Sequence, residues 1–314
     1  MDMDSFFHPL VRDLAWLIGG PSLMAAGTPG LDVPPTERMQ QLIEEAQPWL
    51  TTLERQPADV ERWMARHHSP RLGHHAEALM EFWLRQAPGI RFVAGRHIIT
   101  DGVRTLGDLD LLFDDDVRGV RVHWEMAVKF YVQALPAPEW SQWIGPDARD
   151  RLDLKVRRII DQQLPLGRHP NANLPLTNND TNLPVQSEAY LRGWLFTATG
   201  TEDAGPIGSA PGHGQGWWLR HGEGEVRSTS RASRFVVLPR LAWMPPARLA
   251  PGGTPAISGG ELAQYLDHHF RTLAKAVLIA EVQRDAAGWW AEISRGFVLH
   301  PQWPVQPQDT KSFK

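Results

Sequence analysis

The residues with the clearest chemical potential lie between Gly107 and Lys129. The run Gly107-Asp108-Leu109-Asp110-Leu111-Leu112-Phe113 is followed by an acidic turn, Asp114 to Gly119, and then by Val120 to Phe130. Apolar and polar residues alternate on both sides of a turn that ends in glycine, which is a hairpin pattern. Side chains on a strand alternate with period two. Asp108, Asp110 and Leu112 therefore share one face, and His123, Glu125, Ala127 and Lys129 share a face of the next strand. Trp124, Met126, Val128 and Phe130 form an apolar floor behind them. Carboxylates and a lysine projecting from adjacent strands suit the holding of a hard cation and the activation of a water.

The flanking elements must position these groups. Leu72, Ala76, Leu79, Met80 and Trp83 recur at helical spacing over 71–86. Glu77 and Glu81 share the opposite face of that helix, either as a solvated acidic surface or with Glu77 reaching the cation. Residues 90–99 read as a first core strand, ahead of strands at 106–113 and 120–131. Gly145-Pro146-Asp147 has the form of a helix start, and a helix over 149–164 would bury Leu152, Val156 and Leu164. Its other side carries Arg151, Lys155, Arg158 and Gln162 at i, i+4, i+7 and i+11. That stripe is either solvated or a cradle for phosphates through charge-assisted hydrogen bonds. The turn acids Asp114 and Asp116 read as solvating the hairpin turn.

The order of a helix glutamate, a strand aspartate and a strand glutamate with lysine resembles the PD-(D/E)XK nuclease superfamily. Gly107-Asp108-Leu109-Asp110-Leu111-Leu112 is similar to its first acidic strand, and Trp124-Glu125-Met126-Ala127-Val128-Lys129 to its second. Leu72 to Leu79 resembles the opening helix, which often contributes a glutamate, here Glu77. Val122 to Tyr131 followed by Trp143 to Lys155 also resembles a bacterial group known only as a domain of unknown function. The nuclease resemblance covers about residues 71–167. It implies a restriction-endonuclease-like mixed sheet flanked by helices. It further implies Mg²⁺ or Mn²⁺ on Asp110 and Glu125, with Asp108 and Glu77 as auxiliary ligands. Lys129 would orient or activate water, and Arg151, Lys155, Arg158, Gln162 and His123 would be auxiliary or phosphate-binding. The sequence departs from the superfamily at the lysine, which follows Glu125 by four residues instead of two. At ~3.3 Å per residue that is about 13 Å along a strand, so Lys129 must fold back over Ala127 or the strand must bulge.

Around this core the chain reads as α/β (α+β) in several parts. Residues 1–65 form a helical preface, with helices at 8–18 and 36–53 and a short one near 60–64. The nuclease-like core spans 66–167, a polar linker 168–187, a Trp-rich α/β extension 188–300 and a tail 301–314. In the extension, 189–196, 216–221, 234–243 and 288–300 read as strands. One long amphipathic helix carries Leu262, Tyr265, Leu266, Leu273, Val277 and Ala280.

Composition excludes several alternatives. The 314 residues contain no cysteine, which removes disulfides, cysteine nucleophiles and thiolate zinc sites. A net charge of −4 offers no global attraction for nucleic acid, so a nuclease needs a local basic surface. No apolar run approaches the ~20 residues of a membrane helix, and the expected location is cytoplasmic. The expected activity is metal-dependent phosphodiester hydrolysis, with DNA as the nucleic-acid partner. The alternative is a catalytically inactive nuclease fold that binds nucleic acid or protein, a protein partner engaging the C-terminal extension.

Overall fold

A computed structural model describes residues 3–170, 172, 174, 183–201, 205–226, 228–253 and 256–304. Much of the expected linker, including 175–182, and residues 305–314 of the expected tail lie outside the described residues. The fold is mixed α/β, with mixed sheet flanked by helices, and it divides into two compact units. The first comprises residues 1–128, 155–193 and 208–213, and the second 129–154, 194–207 and 214–314.

In the first unit, α1 (Pro9–Gly19), α2 (Thr36–Arg55), α3 (Ala58–Arg66) and α4 (Leu72–Leu84) match the four expected helices. Proline at the start of α1 sacrifices an N–H that has no helical partner anyway. The helix stops at Gly20, whose N–H bonds the Trp16 carbonyl. A buried pair, Asp13 and His75 at 3.0 Å, ties α1 to α4. Tyr190 Oη and Arg192 Nε both donate to the Leu17 carbonyl, at 2.7 and 3.0 Å.

The strands of this unit are β1 (Ile90–Thr100), β2 (Thr105–Asp115), and parts of β3 (Val120–Gln133) and β5 (Val185–Ala198), in the order β1-β2-β3-β5. β5 begins at Val185, inside the segment expected to be linker. β2 and β3 pair antiparallel, with Leu111 opposite Trp124 and Leu112 opposite His123, as the alternation required. Burial differs from expectation, because both faces of β3 are covered. His123 and Glu125 are as deeply buried as Trp124 and Met126. Trp124 stacks on Tyr190 at 4.4 Å, meets the edge of Phe113 at 4.8 Å, and donates its indole N–H to Glu188 at 2.9 Å. The carboxylate acceptor offsets the cost of taking the indole N–H out of water.

The turn acids also depart from the solvated reading. Asp114 and Asp115 are buried, and arginines hold them: Arg121 lies 2.6 Å from Asp114, and Arg38 lies 2.9 Å from Asp115. Only Asp116 is exposed, and it pairs with Arg91 at 2.8 Å. Buried carboxylates need such partners; Arg121 is the cross-strand neighbour of Asp114 in the hairpin, whereas Arg38 comes from distant sequence that periodicity does not reveal.

The expected single helix over 149–164 is interrupted. Gly145 to Asp150 is non-helical, with Ala148 at φ 55°, and helix α5 (Leu152–Arg158) starts later. A π-helical turn follows at Ile159–Gln163, then the short α6 (Leu164–Leu166). A π turn inserts one residue into the helical repeat, so side chains beyond Arg158 are rotated relative to a uniform α-helix.

In the second unit, β5 runs parallel to β6 (Gly214–Arg220), which runs parallel to β10 (Trp290–Leu299). β9 (Val277–Arg284) lies antiparallel to β10 and to β7 (Arg234–Val237). Two-residue strands β4 (Trp143–Ile144) and β8 (Arg248–Leu249) pair with β3 and β10. Helix α7 (Gly259–Thr272) begins with a capping box between Ser258 and Glu261. Its Leu262, Leu266 and Phe270 pack with Phe235, Val277, Ile279 and Val298. Val277 and Ala280, expected on the long helix, belong instead to β9. The run Val277-Leu278-Ile279-Ala280 is uniformly apolar and buried, so a helical period was only one of two readings it permitted. The expected strand at 234–243 covers only 234–237, since a 3₁₀ turn occupies Arg240–Ala242. Among the described residues no helix is long and apolar enough to cross a membrane.

Candidate functional site

Four acidic side chains of the first unit influence one another: Glu77 on α4, Asp108 and Asp110 on β2, and Glu125 on β3. The β2–β3 ladder reaches Leu111 and Trp124. One residue further along β2, the Asp110 carboxylate accepts the N–H of Met126 at 2.9 Å. A side chain thus takes a backbone donor of the partner strand beside Glu125.

Burial and mutual repulsion make Glu77, Asp110 and Glu125 hard to ionise. Glu125 is pushed up to about 8, chiefly by loss of solvent and then by Asp110, with Lys155 opposing. Asp110 is raised to about 7 by burial and by Glu77, offset in part by its hydrogen bond from Met126. Burial raises Glu77 as well. Lys155 Nζ bridges Glu125 Oε1 at 3.2 Å and Gln163 Oε1 at 3.0 Å. The other carboxylate oxygen, Glu125 Oε2, is buried and has no hydrogen-bond partner among the described residues. An unpartnered buried carboxylate oxygen is costly, and a cation can satisfy it.

The remaining expected residues are distributed differently. Lys129 belongs to the second unit, where its ammonium lies 2.6 Å from Asp150, which also accepts from Tyr131 Oη at 3.4 Å. Arg151 is engaged by Asp153 at 2.6 and 2.8 Å. Arg158 and Gln162 are exposed. Of the basic stripe, Lys155 is the member that meets Glu125. The π turn explains why Gln163, and not Gln162, faces Lys155. Gln163 and Asp150 were not singled out in the sequence, and no local pattern marks either.

His123 occupies a buried position, with Nδ1 3.2 Å from Ser187 Oγ and Nε2 without a partner among the described residues. Burial lowers it from the ordinary 6.5 to about 4. Between those values the unfolded chain takes up a proton that the folded protein refuses, so this residue makes stability fall as pH drops from 6.5 to 4. Thermal melting across that range should show the wild type losing ground to His123→Asn. Equal slopes for both proteins would mean that His123 protonates in the folded state.

Among the described residues no three His, Asp or Glu side chains form a ready-made metal-binding group. Mg²⁺, however, is commonly held by one or two carboxylates and retains several waters. Asp110 and Glu125 fit that demand: they are adjacent, all-oxygen, costly to ionise without a cation, and one oxygen lacks a partner.

Residues 12–299 match the family model described as Domain of unknown function (DUF1853). The chain belongs to this family. No curated protein and no solved structure matches it. The DUF1853 match contains every acidic residue of the candidate site together with Lys155 and Lys129.

Proposed function

We propose that this DUF1853 protein is a PD-(D/E)XK-like, metal-dependent phosphodiesterase acting on DNA. The observation that carries the reading is the pairing of Asp110 with the buried Glu125, with Lys155 on one Glu125 oxygen and no partner for the other among the described residues. Asp110 and Glu125 would hold Mg²⁺ or Mn²⁺, while Asp108 and Glu77 add negative charge around them. A cation bound there would polarise the scissile phosphate and lower the pKa of an attacking water. Lys155, hydrogen-bonded to Glu125 and Gln163, keeps one further N–H on its ammonium. It is placed to orient that water and to stabilise developing negative charge. Lys155 would thereby take the role that the superfamily resemblance implied for Lys129.

Binding itself has a signature. Glu125 and Asp110 hold protons near neutrality, and a cation must displace them. Titration of Mn²⁺ at pH 7 in buffers of different ionisation enthalpy should show release of about one proton, and affinity should rise from pH 6 to pH 8.5. Metal uptake without proton release would place the ion elsewhere, for example on Asp116.

The activity test uses single-stranded, duplex and branched DNA with and without Mg²⁺. Cleavage that requires the metal and disappears in Asp110→Asn supports the hydrolase. The engagement of Lys129 by Asp150 favours a second reading, an inactive nuclease fold that binds nucleic acid. Salt-sensitive binding with no cleavage of any substrate would select it.

A further inference from the structure

The hairpin joining β1 and β2 projects past the acidic residues and exposes apolar side chains. Ile98, Val103 and Leu106 are 62%, 91% and 38% exposed, all within nine residues of one another. Single exposed apolar residues are ordinary, but a cluster on one projection marks an interaction surface. The hairpin is firmly built. Ile99, at its base, is buried against Leu109 and Leu112. At its tip the Asp101 carboxylate accepts the N–H groups of Val103 and Arg104, at 2.9 and 2.7 Å. Asp101 N–H bonds the Arg104 carbonyl, and Gly102 takes φ 91°, a conformation that glycine adopts without strain.

Its placement relates it to the carboxylates. Ile98 lies directly opposite Asp108 in the β1–β2 ladder, so both side chains leave the same face. Arg96, Ile98, Thr105 and Asp108 line one open cleft of about 490 Å³. Arg96 is the non-glycine residue of β1 held at positive φ, 49°, with its Nε 3.8 Å from Asp108. Such a backbone costs free energy, and here it aims a 61% exposed guanidinium along the carboxylate face. Arg104 adds a second exposed cation at the tip.

Resting on the hydrolase reading above, we infer that this hairpin is a strand-separating wedge and that the substrate is DNA with a duplex–single-strand junction. Arg96 and Arg104 suit phosphates, whereas Ile98 and Val103 gain nothing from phosphates or from water. The apolar surface that DNA offers is the face of a base, and it is open only where stacking is interrupted. A junction presents such a face beside a backbone that can continue across the cleft towards Asp110.

The test measures binding in EDTA, so it does not depend on cleavage. The probes are a forked duplex with 2-aminopurine at the first paired position and a blunt duplex of the same sequence. The wild type should prefer the fork by roughly tenfold, the scale of one base contact, and should raise the 2-aminopurine fluorescence. Both effects should vanish in the Ile98→Ser/Val103→Ser double variant, whose melting temperature should be unchanged because both side chains are exposed. Equal affinity for the two probes, or a fork preference that survives in the variant, overturns the wedge and leaves the hydrolase to its own cleavage assay. Fork preference without metal-dependent cleavage of any substrate keeps the wedge and removes the hydrolase. Absence of binding to either DNA overturns the wedge and leaves the hydrolase to the cleavage assay. A wild-type dimer that the double variant abolishes would make the hairpin a contact between copies of this chain and would also overturn the wedge.

Discussion

Lys155→Ala should reduce Mg²⁺-dependent cleavage by at least ~100-fold, the usual cost of removing a positioned proton-handling group. Lys129→Ala should leave cleavage within a few-fold of wild type. The contrast follows from what each ammonium touches. Lys155 is largely buried and hydrogen-bonded to Glu125 and Gln163. Lys129 and its partner Asp150 are each about a third exposed. A pair of that kind contributes at most ~1 kcal/mol to stability. Single-turnover assays with saturating Mg²⁺ separate chemistry from binding, and DNA affinity should change little in either variant because one cation is a small part of the electrostatic total. Loss of cleavage in Lys129→Ala with retention in Lys155→Ala would return the catalytic role to the strand lysine.

Glu125→Gln should be inactive and yet more heat-stable than wild type at high pH. Above about 8 the native Glu125 carboxylate is ionised, buried and repelled by Asp110. The sign of the pH dependence follows. A folded pKa above the unfolded value contributes stability that is complete below about 4.5 and is lost as pH rises through about 8. Glutamine has the same shape and cannot ionise, so it escapes that loss, although Lys155 then faces a weaker partner. We expect a gain on the order of 2 kcal/mol at pH 8.5, shrinking as pH falls and reaching zero only at about pH 4, where Glu125 is protonated in the folded and the unfolded chain alike. Mg²⁺ should raise the melting temperature of the wild type at pH 8.5 and leave the variant nearly unaffected. Melting curves at the two pH values, with and without Mg²⁺, decide the matter. A destabilised variant at pH 8.5 would show that the Lys155 contact outweighs the repulsion.

How far the sequence revealed this arrangement depended on whether a local period or a distant partner was in control. Alternation around Asp110 and Glu125 gave the strands and their common face, because a pleated strand admits no other orientation. The helices before residue 86 were legible for the same reason, since their apolar stripes had one reading each. Lys155 was legible as part of a basic stripe but not as the partner of Glu125, 30 residues away. The π turn at Ile159–Gln163 had no sequence mark, and it exchanged Gln163 for Gln162 at the site. Strand β9 was misread as helix because Val277 to Ala280 is apolar at every position and carries no period. The burial of Asp115 depended on Arg38, 77 residues away, and tertiary pairing of that sort is silent in the composition of a turn.

The interleaving of the two units sets the schedule on which this protein can fold during its synthesis. The first unit draws on three separated segments, the last of them residues 208–213. A nascent chain that has delivered all of α1 to α4 and β1 to β3 still lacks Lys155, β5 and that final segment. Glu125 then has no ammonium beside it, and Trp124 has neither Glu188 nor Tyr190. The acidic strands must therefore wait, incomplete, while the ribosome makes a further eighty-odd residues, counted from 128 to 213. Contacts so distant in sequence slow folding and leave strand edges open in the interval. A chaperone that shields the early hairpin should matter more for the yield of this protein than for one whose units are consecutive.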